Sequence, residues 1–340
     1  MPLLHRNPAA EVPASLMKSL AIAALALAFA ASALPARAAE PLWPPKIVKI
    51  VVPYAPGSTP DLVGRIVADD LQARHPGASF VVENKTGAGG NIGTDAVAKA
   101  APDGATLGVS LGGPLAINTL LFSKLPYNPA NDIAPITMLT SLPSVLVVPA
   151  SLHIDTVADF VAMLKRDGSK LAFGSIGAGS LSHLTMEAIA QRAGTAMVHI
   201  PYGGSPQAMT AIIRGDVQAA CLPAIAVTPQ LASGQVKILA VATAQRSRFL
   251  PDVPTLKESG IDVESDAWNA LIAPAGTPPA IITQINDEIH DAMAKPSVRE
   301  RLETQMIEPS LSTPAGLRAR MDAEIKLWSD VIKRGDIRIN

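Results

Sequence analysis

A single cysteine, Cys221, in 340 residues excludes any disulfide within the chain. It lies in the apolar run 217–225 without an acid–base partner beside it, and so reads as a buried structural thiol. With no other cysteine, a lipid-attached cysteine at a processed N-terminus is excluded too. Neither sign of charge dominates. Lys+Arg number 28 against 29 Asp+Glu, a net charge of −1, and charged residues make up 17% where about a quarter is usual. Nucleic-acid binding is therefore not the main function.

Enzyme signatures are missing as well. No G-x-S-x-G surrounds Ser58, Ser175 or Ser180, so a nucleophile elbow has no support. Gly87-Ala88-Gly89 is followed three residues later by Ile92, and Gly177-Ala178-Gly179 by Ser182, which breaks G-x-G-x-x-G; no phosphate-binding G-x-x-x-x-G-K-[ST] occurs. The six histidines form no H-x-x-x-H or H-E-x-x-H, and neither a catalytic metal nor a cofactor is expected. The 30 prolines are scattered through loops and helix starts, with no PxxP array, low-complexity tract or solenoid-length repeat.

The apolar content, 48% overall, is concentrated at the N-terminus. Met17-Lys18-Ser19, the apolar run 20–34 and Ala36-Arg37-Ala38 supply the charged start, apolar stretch and Ala-x-Ala site of a secretory signal. That run falls short of the roughly 20 residues that cross a bilayer, so a permanent anchor is the weaker reading. Met17 is itself a good start, which makes residues 1–16 a mis-chosen start or a loose leader. Cleavage after Ala38 leaves 25 basic and 28 acidic residues, net −3 over 302. The expected product is a soluble, monomeric periplasmic protein.

At roughly 100 to 200 residues per domain, this length suits two domains or one with a long insertion. Residues 47–53 form a β-branched run that ends in a Pro/Gly/Ser/Thr loop, and 61–74 carry apolar residues at helical spacing. Strand, Gly-rich loop and helix recur over 80–113 and again over 145–222. The spacing predicts an α/β fold of two doubly wound lobes with mostly parallel sheets. Residues 136–149 and 263–274 are the expected crossings. This gives a first lobe of 39–142 plus 265–340 and a second of 143–264, with the C-terminal helices returning to the first lobe.

Ligands in open α/β sheets bind beyond the carboxyl ends of strands, where helix N-termini offer free N–H groups. The candidate contacts are therefore Tyr54, Gly57, Ser58, Thr59 and Asp61 in one loop, with Ser175, Gly177, Gly179, Ser180 and His183 in the other. Tyr202 and Asp216 join them from the second lobe. Such neutral donors suit a small anion, though Ser, Thr and Asp at these places equally cap helices. His183 is either ligand-facing or a core histidine. Asp216 either accepts from a ligand amine or serves a turn.

Several blocks point further. Val51-Val52-Pro53-Tyr54-Ala55-Pro56-Gly57 with Asp61 and Arg65 resembles the substrate-binding proteins of tripartite tricarboxylate transporters, the Bug family of periplasmic receptors. So do Glu83-Asn84-Lys85, Gly87-Ala88-Gly89-Gly90-Asn91-Ile92-Gly93, Pro102-Asp103-Gly104 and Phe173-Gly174-Ser175 with Gly177, Gly179, Ser180, Ser182 and His183. His199-Ile200-Pro201-Tyr202, Pro251-Asp252-Val253-Pro254-Thr255-Leu256 and Trp268 through Ala273-Pro274-Ala275-Gly276-Thr277-Pro278 continue the likeness along nearly the whole mature chain. The resemblance implies a type II periplasmic-binding-protein fold and a non-enzymatic receptor that delivers a small organic acid or amide to integral-membrane permease subunits. It also implies ligand contacts from the loops 54–61 and 175–183, with waters bridging a carboxylate. Two departures stand out. Ser58 replaces the second glycine of the family's usual pair, adding a side chain where the carboxylate would approach, and Ala105 replaces an aromatic.

Two other classes compete: the same receptor serving a membrane sensor kinase, and an exported hydrolase, which lacks a visible nucleophile–base pair. The effector domain of a transcription regulator is disfavoured by the signal segment and the missing DNA-binding domain. With no arginine in either loop, a dicarboxylate, an amino acid, an aromatic acid or a neutral amide such as nicotinamide is admissible. N-terminal sequencing of the secreted protein should read from Ala39, because Ala36 and Ala38 satisfy the small-residue rule; a retained apolar segment would refute this.

Overall fold

The computed structural model describes residues 43–339. The signal segment and the cleavage after Ala38 lie outside the described residues. β1 (Ile47–Val52) runs into α1 (Thr59–Arg74), whose first turn holds Pro60, a residue pre-set for that position, and Asp61, favoured by the helix dipole. β2 (Ser79–Asn84), α2 (Asn91–Ala98) and β3 (Thr106–Leu111) repeat the unit. A π turn over Gly113–Ile117 and the one-turn α3 (Asn118–Leu121) follow, then β4 (Ile133–Leu142).

After Pro143 the chain enters β5 (Ser144–Pro149), α4 (Val157–Asp167), β6 (Ala172–Ser175), α5 (Leu181–Arg192), β7 (Val198–Pro201) and α6 (Ser205–Arg214). β8 (Ala219–Pro223), α7 (Ala224–Leu231) and β9 (Val236–Val241) complete that sheet. The chain returns through β10 (Ala267–Pro274), α8 (Pro279–Ala294), α9 (Pro296–Glu303), the short β11 (Glu308–Pro309) and α10 (Pro314–Gly335). α7 carries Pro229 inside it, which hides it from a periodicity reading.

Two sheets result, with strand orders β11-β4-β10-β3-β1-β2 and β7-β6-β8-β5-β9, one in each of two lobes. The expectation of mostly parallel sheets needs correction. β1 pairs parallel with β2 and β3, and β6 with β7 and β8, but β10 runs antiparallel to β3 and β4, and β5 antiparallel to β8 and β9. The reason is connectivity. β4 carries the chain out of the first sheet and β10 brings it back alongside, Ala267 opposite Leu142, so the pair must run in opposite directions.

The C-terminal helix also departs from expectation. α10 buries Leu317 and Met321 with Val51, Leu115 and Trp268 of the first lobe, whereas Trp328 and Ile332 sit with Phe173, Leu184 and Ile189 of the second. It therefore belongs to both cores. A 22-residue helix is about 33 Å long, enough to reach across two packed lobes.

Behind the second lobe's Gly-rich loop lies a stack of rings. His183 and His199 are parallel, centroids 3.7 Å apart at 8°, and Phe173 lies against His199 at 5.0 Å. Ser175 Oγ meets His199 Nε2 at 2.7 Å, and the Gly179 N–H donates to His183 Nδ1 at 3.0 Å. Both imidazoles thus hold the 175–180 loop in place. Burial, reinforced by the neighbouring His183, pushes the His199 pKa down to about 4.

In the unfolded chain a histidine protonates near 6.5. Acidification across the window from about 6.5 to about 4 therefore favours unfolding, because the unfolded chain takes up a proton that folded His199 refuses. The expected loss is about 1–2 kcal/mol once solvent screening of this part-exposed ring is allowed for. Melting curves from neutral pH downward should show His199→Phe, which keeps a stacked ring but cannot titrate, losing less stability than wild type; identical slopes would refute the assignment.

Candidate functional site

The carboxyl ends of β1, β2, β3 and β6 converge on one cavity of about 560 Å³. Tyr54 follows β1, Ala88 and Gly89 follow β2, and Gly112 and Gly113 follow β3. The loop 176–180 and Leu181, the first residue of α5, supply the wall from the second lobe. Trp268 of β10, Glu324 of α10 and Ile339 of the C-terminal tail complete the lining.

Local geometry explains why these loops come close. Gly90 has φ +92°, and a Cβ there would lie 2.7 Å from Pro114 and 2.9 Å from the Tyr54 hydroxyl, so only glycine lets the turn pass beneath the tyrosine. The Tyr54 hydroxyl then donates to Gly89 O at 3.0 Å. Gly179, at φ +73°, admits no Cβ either, since Ile339 and Leu121 occupy its place. Ser180 caps α5: its Oγ accepts from the His183 N–H at 3.3 Å and donates to Gly177 O at 2.6 Å.

Of the twelve residues singled out from sequence, Tyr54, Gly177, Gly179 and Ser180 line the cavity. The other eight lie off this lining. Asp61 is buried and committed, accepting from the Gly57 N–H at 2.9 Å, Arg65 Nε at 3.0 Å and Asn84 Nδ2 at 2.9 Å. Those bonds outweigh the cost of burial and hold its carboxyl below the usual range. Thr59 opens α1 as its first residue. Ser58 makes no capping bond, and its Oγ is buried without a protein partner. Its φ of −72° is ordinary for any residue, so the backbone does not require the glycine usual there.

Ser175 is fully buried, and His183 is 6% exposed within the ring stack. Tyr202 packs against Gly174, and Asp216 is exposed in the turn that ends α6. Ser175 and His199 form a serine–histidine pair that motif reading does not reveal, but a serine with no exposed surface cannot reach a substrate. The Cys221 thiol is buried, which pushes its pKa up to about 12.

Sequence reasoning missed Asn118, Phe122, Asp266, Glu324 and Ile339 as lining residues. Asn118 Nδ2 donates to Asn91 Oδ1 at 2.6 Å, tying α3 to the start of α2. Among the described residues no lysine, arginine or histidine lines the cavity. What it offers is a set of backbone amides at helix starts, an apolar body and two carboxylates held by Arg320. Such a surface binds and orients a small polar molecule.

Comparison with known proteins agrees with this geometry. The model of the "tripartite tricarboxylate transporter family receptor" matches residues 63–337. Protein BugT of Bordetella pertussis is 35% identical, over 94% of this chain and 98% of the relative. Among solved structures, an R. palustris protein, Rpa4515 with adipate, superposes with a TM-score of 0.76 at 32% identity, covering 87% of this chain and 99% of the other. MatC from Rhodopseudomonas palustris with bound malate gives 0.71 at 30%, covering 85% and 100%. The periplasmic binding protein BugD gives 0.72 at 29%, covering 87% and 99%. This chain belongs to the tripartite tricarboxylate transporter receptor family, the Bug-type solute-binding proteins.

Proposed function

We propose that this protein is a periplasmic receptor that captures a small organic carboxylate between its lobes and delivers it to the permease subunits of a tripartite transporter. The observation that carries this reading is the 560 Å³ cavity, walled by loops from both sheets and opened upon by the first turn of α5. A helix start presents unpaired N–H groups and the positive end of the dipole, which together favour an anion without a charged side chain. Adipate and malate in the structures of two relatives support the same ligand class.

In this reading the first lobe comprises 39–142 and 265–340 and the second 143–264. The signal segment is removed after Ala38. Tyr54, Gly177, Gly179 and Ser180 contact the ligand. Ser58, with its buried unpartnered hydroxyl, and the ordered loops around Asp61 and His183 shape the rims. No turnover is expected, because among the described residues the hydroxyl that meets a histidine ring, Ser175 Oγ at His199 Nε2, belongs to a fully buried side chain.

A thermal-shift screen of organic acids on ligand-stripped protein should find compounds that raise the melting temperature; at 100 times Kd the stabilisation is about 2.7 kcal/mol. Ala178 lines the cavity and is exposed, so Ala178→Trp fills the space at little cost to folding. It should abolish the shift while the ligand-free protein melts as before. Turnover of a bound acid, or full binding by Ala178→Trp, would defeat the reading. Ser180→Ala should cost about 1 kcal/mol of stability through loss of the cap and weaken binding besides, which titration calorimetry measures.

A further inference from the structure

The lining of the cavity mixes two kinds of polar group. Gly89, Gly112 and the 177–180 loop contribute mostly backbone, with the first turn of α5. Asp266 and Glu324 contribute carboxylates, both buried. Gly112 packs against Trp268, whose Nε1 donates to Glu324 Oε1 at 3.2 Å, so the two kinds meet there. Ile117, Phe122 and Ile176 add apolar surface.

The carboxylates share one cation. Arg320 Nη2 donates to Asp266 Oδ1 at 2.5 Å and to Glu324 Oε1 at 2.8 Å, from behind, without lining the cavity itself. Asp266 Oδ2 accepts from Ser141 Oγ at 2.7 Å. Glu324 Oε1 accepts from Trp268 Nε1 at 3.2 Å, and Oε2 from Trp328 Nε1 at 2.6 Å. One guanidinium balances one of two carboxylates, which leaves the cluster at −1. Burial raises the Glu324 pKa, and a proton there brings the cluster only to zero. In neither state do these carboxylates offer a ligand any positive charge, and Arg320 does not line the cavity.

A carboxylate placed against them would lose its hydration and gain no partner, whereas a donor group would find acceptor oxygens with lone pairs to spare. We propose that Asp266 and Glu324 determine the specificity of the cavity: they select a ligand that carries, besides one carboxylate, an ammonium, amide or hydroxyl donor, and they reject a second carboxylate. The proposal rests on reading this cavity as the ligand site.

Calorimetric titration of succinate, glutarate and adipate, each beside the ω-amino acid and the monoamide of the same length, tests it. The donor-ended member of a set should bind at least about tenfold more tightly than its dicarboxylate, about 1.4 kcal/mol. Asp266→Asn and Glu324→Gln should each shrink that ratio, since an amide presents a donor of its own to a carboxylate. Asp266→Asn keeps the test open if Glu324→Gln, which leaves one acceptor oxygen for two indoles and a guanidinium, does not fold. Dicarboxylates that bind wild type as tightly as their donor-ended partners overturn the proposal. So does a ratio unmoved in Asp266→Asn, or no binding by any member. Binding that survives Ala178→Trp identifies a different failure, that of the cavity as the ligand site, and the specificity proposal falls with it.

Discussion

The carboxyl group of Glu324 sits where the two cores meet. It lies midway along α10, between Leu317 and Met321, which belong to the first lobe's core, and Trp328 and Ile332, which belong to the second's. At 4% exposure a carboxylate is costly, and truncating its partners would leave a buried charge uncompensated, a loss of about 3–5 kcal/mol. The chain supplies three donors: the Arg320 guanidinium one turn earlier, the Trp328 indole one turn later and Trp268 from β10. Because β10 is the strand that brings the chain back from the second lobe, this one group ties the crossing strand to the helix that spans both lobes. Arg320 also lies 5.8 Å from the Trp268 ring centre, adding a cation–π contact to the same cluster.

A second constraint acts on the second lobe's loop that lines the same cavity. The 175–180 segment has little side-chain volume of its own with which to fix its shape. Its geometry is imposed from below by the stacked rings of Phe173, His183 and His199, and from the side by Ile339 and Leu121 where Gly179 lacks a Cβ. Ile339 reaches this place because its N–H donates to Leu121 O at 3.2 Å, next to its bridge with Phe122. The Gly177, Gly179 and Ser180 N–H groups donate to Ser175 Oγ, His183 Nδ1 and Gly177 O, so the loop's own amides go into fixing its shape, and a wall fixed in this way meets a ligand without the entropy cost of ordering it.

Much of the fold was legible in the sequence. Short runs ending in Gly-rich loops mark β1, β3 and β6, and the helical spacing of 279–294 and 314–333 matches α8 and, to within two residues, α10. The antiparallel strands were not legible, because alternation of strand and helix speaks only for the local units, whereas the direction of β10 follows from where the chain must return. A smaller part of the candidate site was legible for the same reason. Tyr54, Gly177, Gly179 and Ser180 announce themselves through turn chemistry, which is local. His183 left two readings open, and its Nδ1 bond to the Gly179 N–H with its burial against His199 supports the core one. Asp266, Glu324 and Ile339 carry no local signal: an acidic residue in a crossing segment or on a helix reads as a solvated face until tertiary packing buries it.

The two kinds of lining change differently. The 177–180 loop contributes mostly backbone, so altering its side chains changes shape more than charge. Asp266 and Glu324 contribute side chains, and Glu324 also couples the lobes. Asp266 accepts from Arg320 of α10 and from Ser141 of β4, so a change there costs the joining helix one ion pair while the three donors of Glu324 stay in place. Glu324 has no such freedom, since three donors lose their acceptor with it. Affinity for different acids is therefore tuned most cheaply through Asp266 and the rim residue Ala178, while Glu324 holds the sign of the wall fixed for structural reasons. Under the proposed role, specificity and the stability of the two-lobed body share Glu324, and a substitution there changes both together.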